Sequence, residues 1–408
     1  MQLTKEENEM LEGKYGYPVQ KSMEILVGLG ECFDAKRMLP ITSAHLLRSG
    51  YKGSLVFLKE MADKGGKFAC FTDTNPMCID PLLWEEMGFP EDFARGQMEV
   101  TDALITLGAF NSTSCNPYLI GNVPLLGEHV AWSDTTVESF ANSVLGARTN
   151  RLGGPASLAA ALVGRVPEYG YHLDQNRCGE IEIMVTAKLN DAHDYGTLGY
   201  FAGRIAGERI PVFTGIPARV SRSELKQLGA ATAHSGSIAL YHVVGVTPEA
   251  ATKEVAFKSQ KRKNWPKFEF SEKELRETEE LLITGKSSEI DLVVFGCPHY
   301  SIEDFQRICR LISGKKLKSK VWILTSHIIK TYAEQTGYVD ILKKAGSRVI
   351  CDTCPALFPE GFLKKQGYRV AATDSANMAR HLPNIQQVPT YYGSMESCIE
   401  AACSGIWR

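Results

Sequence analysis

No stretch of this 408-residue chain stays apolar for the roughly 18–20 residues that a membrane-spanning helix needs, so a membrane protein is not expected. Neither sign of charge dominates. Lys and Arg number 45 against 47 Asp and Glu, a formal net charge of −2, which argues against a nucleic-acid surface. The densest basic run, KSQKRKNWPK (258–267), reads as a solvated loop. Secretion-signal character is also missing: MQLTKEENEMLEGKYG is charged and reads as an amphipathic helix. The protein is therefore expected to be soluble and cytoplasmic. Internal repeats and low-complexity tracts are lacking, and no second CxxC accompanies Cys351 and Cys354, which disfavours a four-thiolate structural zinc site.

What is present is ordinary globular composition, 44% hydrophobic and 23% charged, in a length that suits one large α/β unit or several subdomains. There are 11 cysteines. An odd number without a secretion signal does not read as a disulfide framework. Each thiol is then either a small buried hydrophobe or chemistry. Cys32, Cys309, Cys398 and Cys403 fall in helical patterns and read as core. Cys70 reads as the end of a strand and as core. Cys78 and Cys178 stand in turn-like settings that assign them to neither class.

From about residue 290 the chain alternates apolar strands with helices: IDLVVFG, SIEDFQRICRLI, KVWILT, SHIIKTYAEQTGYVDILKKAG, SRVICD, YRVAATD. That rhythm predicts βαβ units and a parallel sheet. KSQKRKNWPKFEF is the expected boundary between an N-terminal α/β region, 1–265, and a C-terminal subdomain, 266–408. Upstream, TTVESFANSVLGA and PASLAAALVGR have helical spacing, and EIEIMVTAKL alternates as a half-buried strand.

In parallel α/β sheets, ligands bind at the carboxyl ends of strands. Cys297, Ser326-His327, Cys351 and Cys354 all fall at or just past such ends and are expected to share one crevice. A thioredoxin-type reading of the CxxC fits poorly, because Pro355 and the loop-like ALFPEG follow it where a helix should open. A lone cysteine plus a CxxC, with Cys115 in NSTSCNPYLIG, suits an iron–sulfur cluster with an open metal corner. Asn142, Arg148, Asn150 and Arg151 bring amide and guanidinium donors to a helix end followed by two glycines, which suits a carboxylate or phosphate. His234-Ser235-Gly236 is expected ahead of a strand. VTPEA is expected to open a helix, with Thr247 as cap and Pro248 at its first position.

Taken in order, ITSAHLL, TDTNP, TSCNPYLIG with VPLLGEHVAW, FANSVLGARTNR, GRVPEYGYHL, AHSGSIALYHVVGVTPEA, FGCPH and CDTCP resemble the large, catalytic subunit of the aconitase X family. The segments span most of the chain. The resemblance implies a multi-subdomain aconitase-like α/β fold, with parallel or mixed sheets flanked by helices. It implies a hydro-lyase that removes water from a small hydroxy-acid, with an iron–sulfur cluster held by three cysteines. On the family pattern those ligands are Cys115, Cys297 and Cys354. Cys351 is an alternative, since other aconitases use one cysteine plus a CxxC. Catalytic candidates are Ser43, His45, His234 and His299. Substrate-binding candidates are Thr72, Asn75, Asn142, Arg148, Asn150 and Ser235. SCNPY departs from the usual Cys-Thr-Pro-Tyr, and Asp134 stands where Glu is expected.

Two activities are known in the family, dehydration of cis-3-hydroxy-L-proline and of mevalonate 5-phosphate. The first is the expectation here, because no dedicated phosphate loop is evident; the second is the alternative. The resemblance further implies a separate small swivelling-domain subunit of roughly 130–150 residues that brings an active-site serine. A non-catalytic relative that binds zinc or an acidic metabolite is the rival from outside enzymology.

Overall fold

The structure, a computed structural model, describes residues 1–48, 52–258 and 265–408. Residues 259–264 of the basic run at 258–267 lie outside the described residues. Among those described, no helix is long and apolar enough to cross a membrane.

Strands are numbered in chain order. β1 (Met38–Pro40) and β5 (Arg165–Pro167) form an antiparallel pair. The other three sheets are parallel. The first contains β2 (Ser43–Leu46), β3 (Phe71–Thr74) and β4 (Ala131–Trp132), in the order β3-β2-β4. The second contains β6 (Ile181–Val185), β7 (Pro211–Thr214), β8 (His242–Val243) and β9 (Lys267–Phe270), in the order β8-β7-β6-β9. The third contains β10 (Leu292–Phe295), β11 (Lys320–Thr325), β12 (Arg348–Cys351), β13 (Ala371–Thr373) and β14 (Thr390–Tyr392), in the order β12-β11-β10-β13-β14. The strand that opens the expected C-terminal part, β9, hydrogen-bonds to β6.

The third sheet forms as its sequence predicts. Its strands are apolar throughout because helices cover both faces. Val293, Phe295, Val321, Ile323, Val349 and Cys351 face one core; Leu292, Val294, Trp322, Leu324 and Ile350 face the other, which also takes Cys297 and Cys354. β10 ends at Gly296, whose φ of +92° and a would-be Cβ 2.3 Å from Leu324 O admit only glycine. The chain then turns into Cys297.

Helices Ala192–Ala206 and Arg222–Gly236 pack backbone to backbone. A Cβ on Gly203 would lie 2.0 Å from Ser235 Oγ, and one on Gly236 would lie 2.4 Å from Gly203 O. His234 and Ser235 form the last turn of the second helix, and the strand expected after them is β8. Thr247 opens no helix. Its hydroxyl accepts from Val243 N at 2.9 Å and closes a turn, and the next helix, Lys253–Ala256, is capped by Thr252. TTVESFANSVLGA splits into an α-helix, Thr135–Phe140, and a π-turn, Ala141–Leu145. Cys32 is exposed at a helix end, and Cys70 is half-buried just ahead of β3 rather than at its end.

Candidate active site

The carboxyl ends of the first and third sheets meet, and direct hydrogen bonds join them. Met77 N donates to Asp352 O at 2.7 Å, and Asn116 Nδ2 donates to His299 O at 2.6 Å. Helix Arg222–Gly236 lies across the junction. Lys226 Nζ donates to His299 O at 3.2 Å and pairs with Asp304 Oδ2 at 2.7 Å, both side chains buried.

Three thiols converge here from three chain segments. Cys297 follows β10, Cys354 follows β12, and Cys115 sits in the loop after helix Glu91–Leu107. Hydrogen bonding to Cys354, then burial, raises the Cys297 thiol well above its ordinary range, with Cys115 adding to it. Cys115 is also raised, by burial first and then by Asp134 and Cys354. Its sulfur accepts from His299 N at 3.2 Å. All three are free thiols. Ser375, just past the carboxyl end of β13, lies beside Cys297 and offsets part of that rise.

Cys351 does not join them. Strand side chains alternate faces, so Cys351 packs with Val349 on the opposite side of the sheet from Cys297. Burial, Asp352 and Asp80 raise its thiol, and it lines a separate cavity with Lys330 and Asp80. Cys78 is buried on the thiol side, near Arg48 and Cys354, and burial holds it at about 11.

Beside the thiols runs a buried polar chain. His45 Nδ1 lies 2.9 Å from Asp73 Oδ1, and its Nε2 lies 3.4 Å from Asn75 Oδ1. Asn75 Nδ2 donates to Asp134 Oδ2 at 2.7 Å. Burial lowers the His45 pKa, but Asp73 outweighs it and the net shift is upward. His299 differs. Its Nε2 lies 3.0 Å from Thr353 O, its Nδ1 is buried without a partner, and burial lowers its pKa. On the far side, Tyr300 Oη donates to Asp374 Oδ2 at 2.5 Å, and burial lifts Asp374 to about 7.

The remaining sequence candidates are engaged elsewhere. Ser43 Oγ accepts from Trp132 Nε1 at 3.1 Å. Thr72 Oγ1 donates to Cys70 O. Asn142 donates to Thr149 O and Ala239 O and accepts from Thr149 N and Arg177 Nη1. Arg148 bonds His172 O and Asp174. Asn150 bridges Tyr169 O and Tyr171 N. Ser235 Oγ donates to Ala231 O within its helix. His234 packs edge-on against His381 at 4.6 Å. Of the predicted residues, the structure brings together Cys115, Cys297, Cys354 and His299, with His45 and Asn75 alongside through Asp134.

Lys226, Asp304, Ser375, Asp374 and Arg48 are nearby groups that sequence reasoning passed over. Asp374 and Ser375 carried a usable signal, since they end a parallel strand. Arg48 is buried and hydrogen-bonds, among the described residues, to neutral oxygens: Thr101 Oγ1 at 2.6 Å, Thr74 Oγ1 at 3.0 Å, and Asn111 Oδ1. Its Nε has no partner, and burial lowers its pKa to about 10.

The donor set fits a polynuclear cluster better than one ion. Tetrahedral zinc at about 2.3 Å from sulfur holds its sulfurs about 3.8 Å apart. Among the described residues, the metal-type side chains whose ligand atoms fall within 4.8 Å of one another are Asp191, His193 and Asp194, not the thiols. An iron–sulfur cluster takes thiolate ligands at wider separation.

Comparisons with known proteins identify the family. Residues 1–175 match the aconitase X first domain, 179–280 the second and 290–404 the third. The phosphomevalonate dehydratase large subunit of Methanothermobacter thermautotrophicus is 41% identical, with 96% of each chain covered. The cis-3-hydroxy-L-proline dehydratase of Hypocrea jecorina is 34% identical over 100% of this chain and 69% of its own. The crystal structure of Thermococcus kodakaraensis aconitase X in its holo-form superposes with a TM-score of 0.88 at 36% identity, covering 98% of this chain and 100% of that one. The chain belongs to the aconitase X family of dehydratases and is a hydro-lyase.

Proposed function

We propose that this chain is the large subunit of a two-chain dehydratase that acts on mevalonate 5-phosphate. The observation that carries the reading is sequence identity. Two relatives named phosphomevalonate dehydratase large subunit are 41% and 38% identical to this chain. Two named cis-3-hydroxy-L-proline dehydratase are 34% and 31% identical. This reverses the expectation drawn from the missing phosphate loop. Arg48, a buried guanidinium whose partners among the described residues are neutral, suits one anionic group of either substrate.

In this reading Cys115, Cys297 and Cys354 hold an iron–sulfur cluster. Such a cluster supplies a Lewis-acidic iron for the departing hydroxyl. Lys226, tied to Asp304, fixes the His299 backbone carbonyl, and His299 N donates to Cys115 Sγ, so one loop orients ligand and imidazole together. His45, held by Asp73, orients Asn75 and through it Asp134. Asp134, whose charge acts on Cys115, is then a candidate for carrying the proton. The partner subunit completes the site and contributes the serine that the family pattern implies.

The test is an anaerobic preparation of the chain with its small subunit, assayed on both substrates. Water loss from mevalonate 5-phosphate, absent without the small subunit, is the expected result. Turnover of cis-3-hydroxy-L-proline instead would return the reading to the other branch. An iron-free, colourless complex would sink the cluster.

A further inference from the structure

Two non-glycine residues beside the thiols hold a left-handed backbone. Thr113, two residues before Cys115, has a φ of +46°, and Asp352, two residues before Cys354, has a φ of +63°. Asp tolerates that region because its short polar side chain can bond locally. Thr, branched at Cβ, tolerates it poorly, and such a conformation persists only where the surroundings force it. Both residues are buried, Thr113 completely. Their side chains meet: Thr113 Oγ1 donates to Asp352 Oδ1 at 2.5 Å, across 239 residues of chain.

What forces Thr113 is visible on either side of it. Thr74, the last residue of β3, holds both neighbours: its N donates to Ser112 Oγ at 3.2 Å, and its O accepts from Ser114 N at 3.1 Å. Opposite, Asp352 N donates to Thr325 O at 2.8 Å, at the end of β11. The Asp352 carboxylate has donors without Thr113. His327, the histidine that the sequence places at this strand end, gives its N to Oδ1 at 2.9 Å, and its Nδ1 lies 3.0 and 3.1 Å from Oδ1 and Oδ2. A strained threonine is therefore kept for a bond that the carboxylate does not need.

We propose that Thr113 and Asp352 are positioning residues whose bond sets the span between Cys115 and Cys354. The inference rests on the reading of Cys115, Cys297 and Cys354 as cluster ligands. The Cys115 loop is tied to the Cys297 loop by other atoms, since Asn116 Nδ2 donates to His299 O and His299 N donates to Cys115 Sγ. The Thr113–Asp352 bond ties it to the Cys354 loop. Groups that orient ligands without touching the metal commonly change metal affinity about 10–100-fold, and backbone strain gathers where geometry serves a site.

The test follows iron loss to a ferrous chelator from the full chain, loaded anaerobically with iron and sulfide. Each variant is measured at the same interval below its own melting temperature, so that general loosening cancels. Thr113→Val keeps the branched shape without the donor and should lose iron about 10–100-fold faster than wild type. Thr113→Ser keeps the hydroxyl and should hold iron as wild type does. Asp352→Asn suits the same backbone, weakens the bond by removing its charge, and should also speed iron loss; it decides the matter if Thr113→Val does not fold. Wild-type rates in Thr113→Val and Asp352→Asn overturn the proposal, as does a Thr113→Ser chain that loses iron as fast as Thr113→Val, and the three-thiol reading survives either result. A wild-type chain that takes up no iron overturns that reading and the positioning role together.

Discussion

Two polar clusters in this molecule look alike in sequence and differ in what their atoms do. Asn142, Arg148, Asn150 and Arg177 form a dense set of amide and guanidinium donors. Their capacity is used by the protein itself. Arg177 is fully buried, pairs with Glu249 and donates to Asn142 Oδ1, Tyr171 O, Asn142 O and Ala147 O. Around the thiols, by contrast, polar groups are left over: His299 Nδ1, Asp374 Oδ1 and Thr353 Oγ1 are buried without partners. Buried polar atoms are seldom left unpaired in a finished interior. The amides and guanidinia of the first cluster are spent on the fold, although His172 Nε2 and His242 Nδ1 beside it also lack partners, whereas the thiol end keeps polar atoms free to meet another group.

The sharpest way to break this contrast is at the thiols. Cys297→Ala or Cys354→Ala should remove the cluster's absorption and lower dehydratase turnover by at least about 100-fold. Cys351→Ala should leave both unchanged, since its side chain faces the other core. Iron loss in Cys351→Ala would show that the strand-face argument is wrong. Next in size is Arg177→Met, which strands Glu249 and several carbonyls. Denaturant unfolding should show a loss of about 3–5 kcal/mol; a loss under 1 kcal/mol would remove the structural role.

Asp374 tests the left-over groups directly. Its folded pKa of about 7 lies above the ordinary carboxyl value of 3.8, so the folded state holds a proton that the unfolded state releases. Stability should then fall as pH rises from about 4 to 7, by something on the order of 4 kcal/mol. Asp374→Asn should flatten that slope while keeping an acceptor for Tyr300. An unchanged slope would mean that the carboxyl titrates normally. The smallest effect is expected from Arg148→Gln. Its partner Asp174 is 73% exposed, so stability should change by no more than about 1 kcal/mol, with KM unaltered. A large rise in KM would make Arg148 a substrate ligand after all.

The third sheet was legible because strands buried on both faces write uninterrupted apolar runs, and the thiols at their ends could be picked out by position. Period two would also have separated Cys351 from Cys297 and Cys354. Less could be read where helices end: AHSGSIAL contains no residue that forbids another turn, so His234 and Ser235 stayed helical. Thr247-Pro248 looked like a helix start because cap and turn use the same side-chain oxygens. The Lys226–Asp304 pair, the His45–Asp73 contact and the Asn116 bond to His299 join residues far apart in the chain. No local pattern announces them.

The three converging thiols come from positions 115, 297 and 354, so the first is made about 240 residues before the last. At roughly 5–20 residues per second of synthesis, Cys115 waits on the order of 10–50 seconds for its companions. During that interval it is a lone thiol on a loop with no Cys297 or Cys354 beside it. Any iron–sulfur unit delivered early would find one ligand instead of three. In the proposed reading, loading of a three-thiolate site therefore waits until Cys354 has been made.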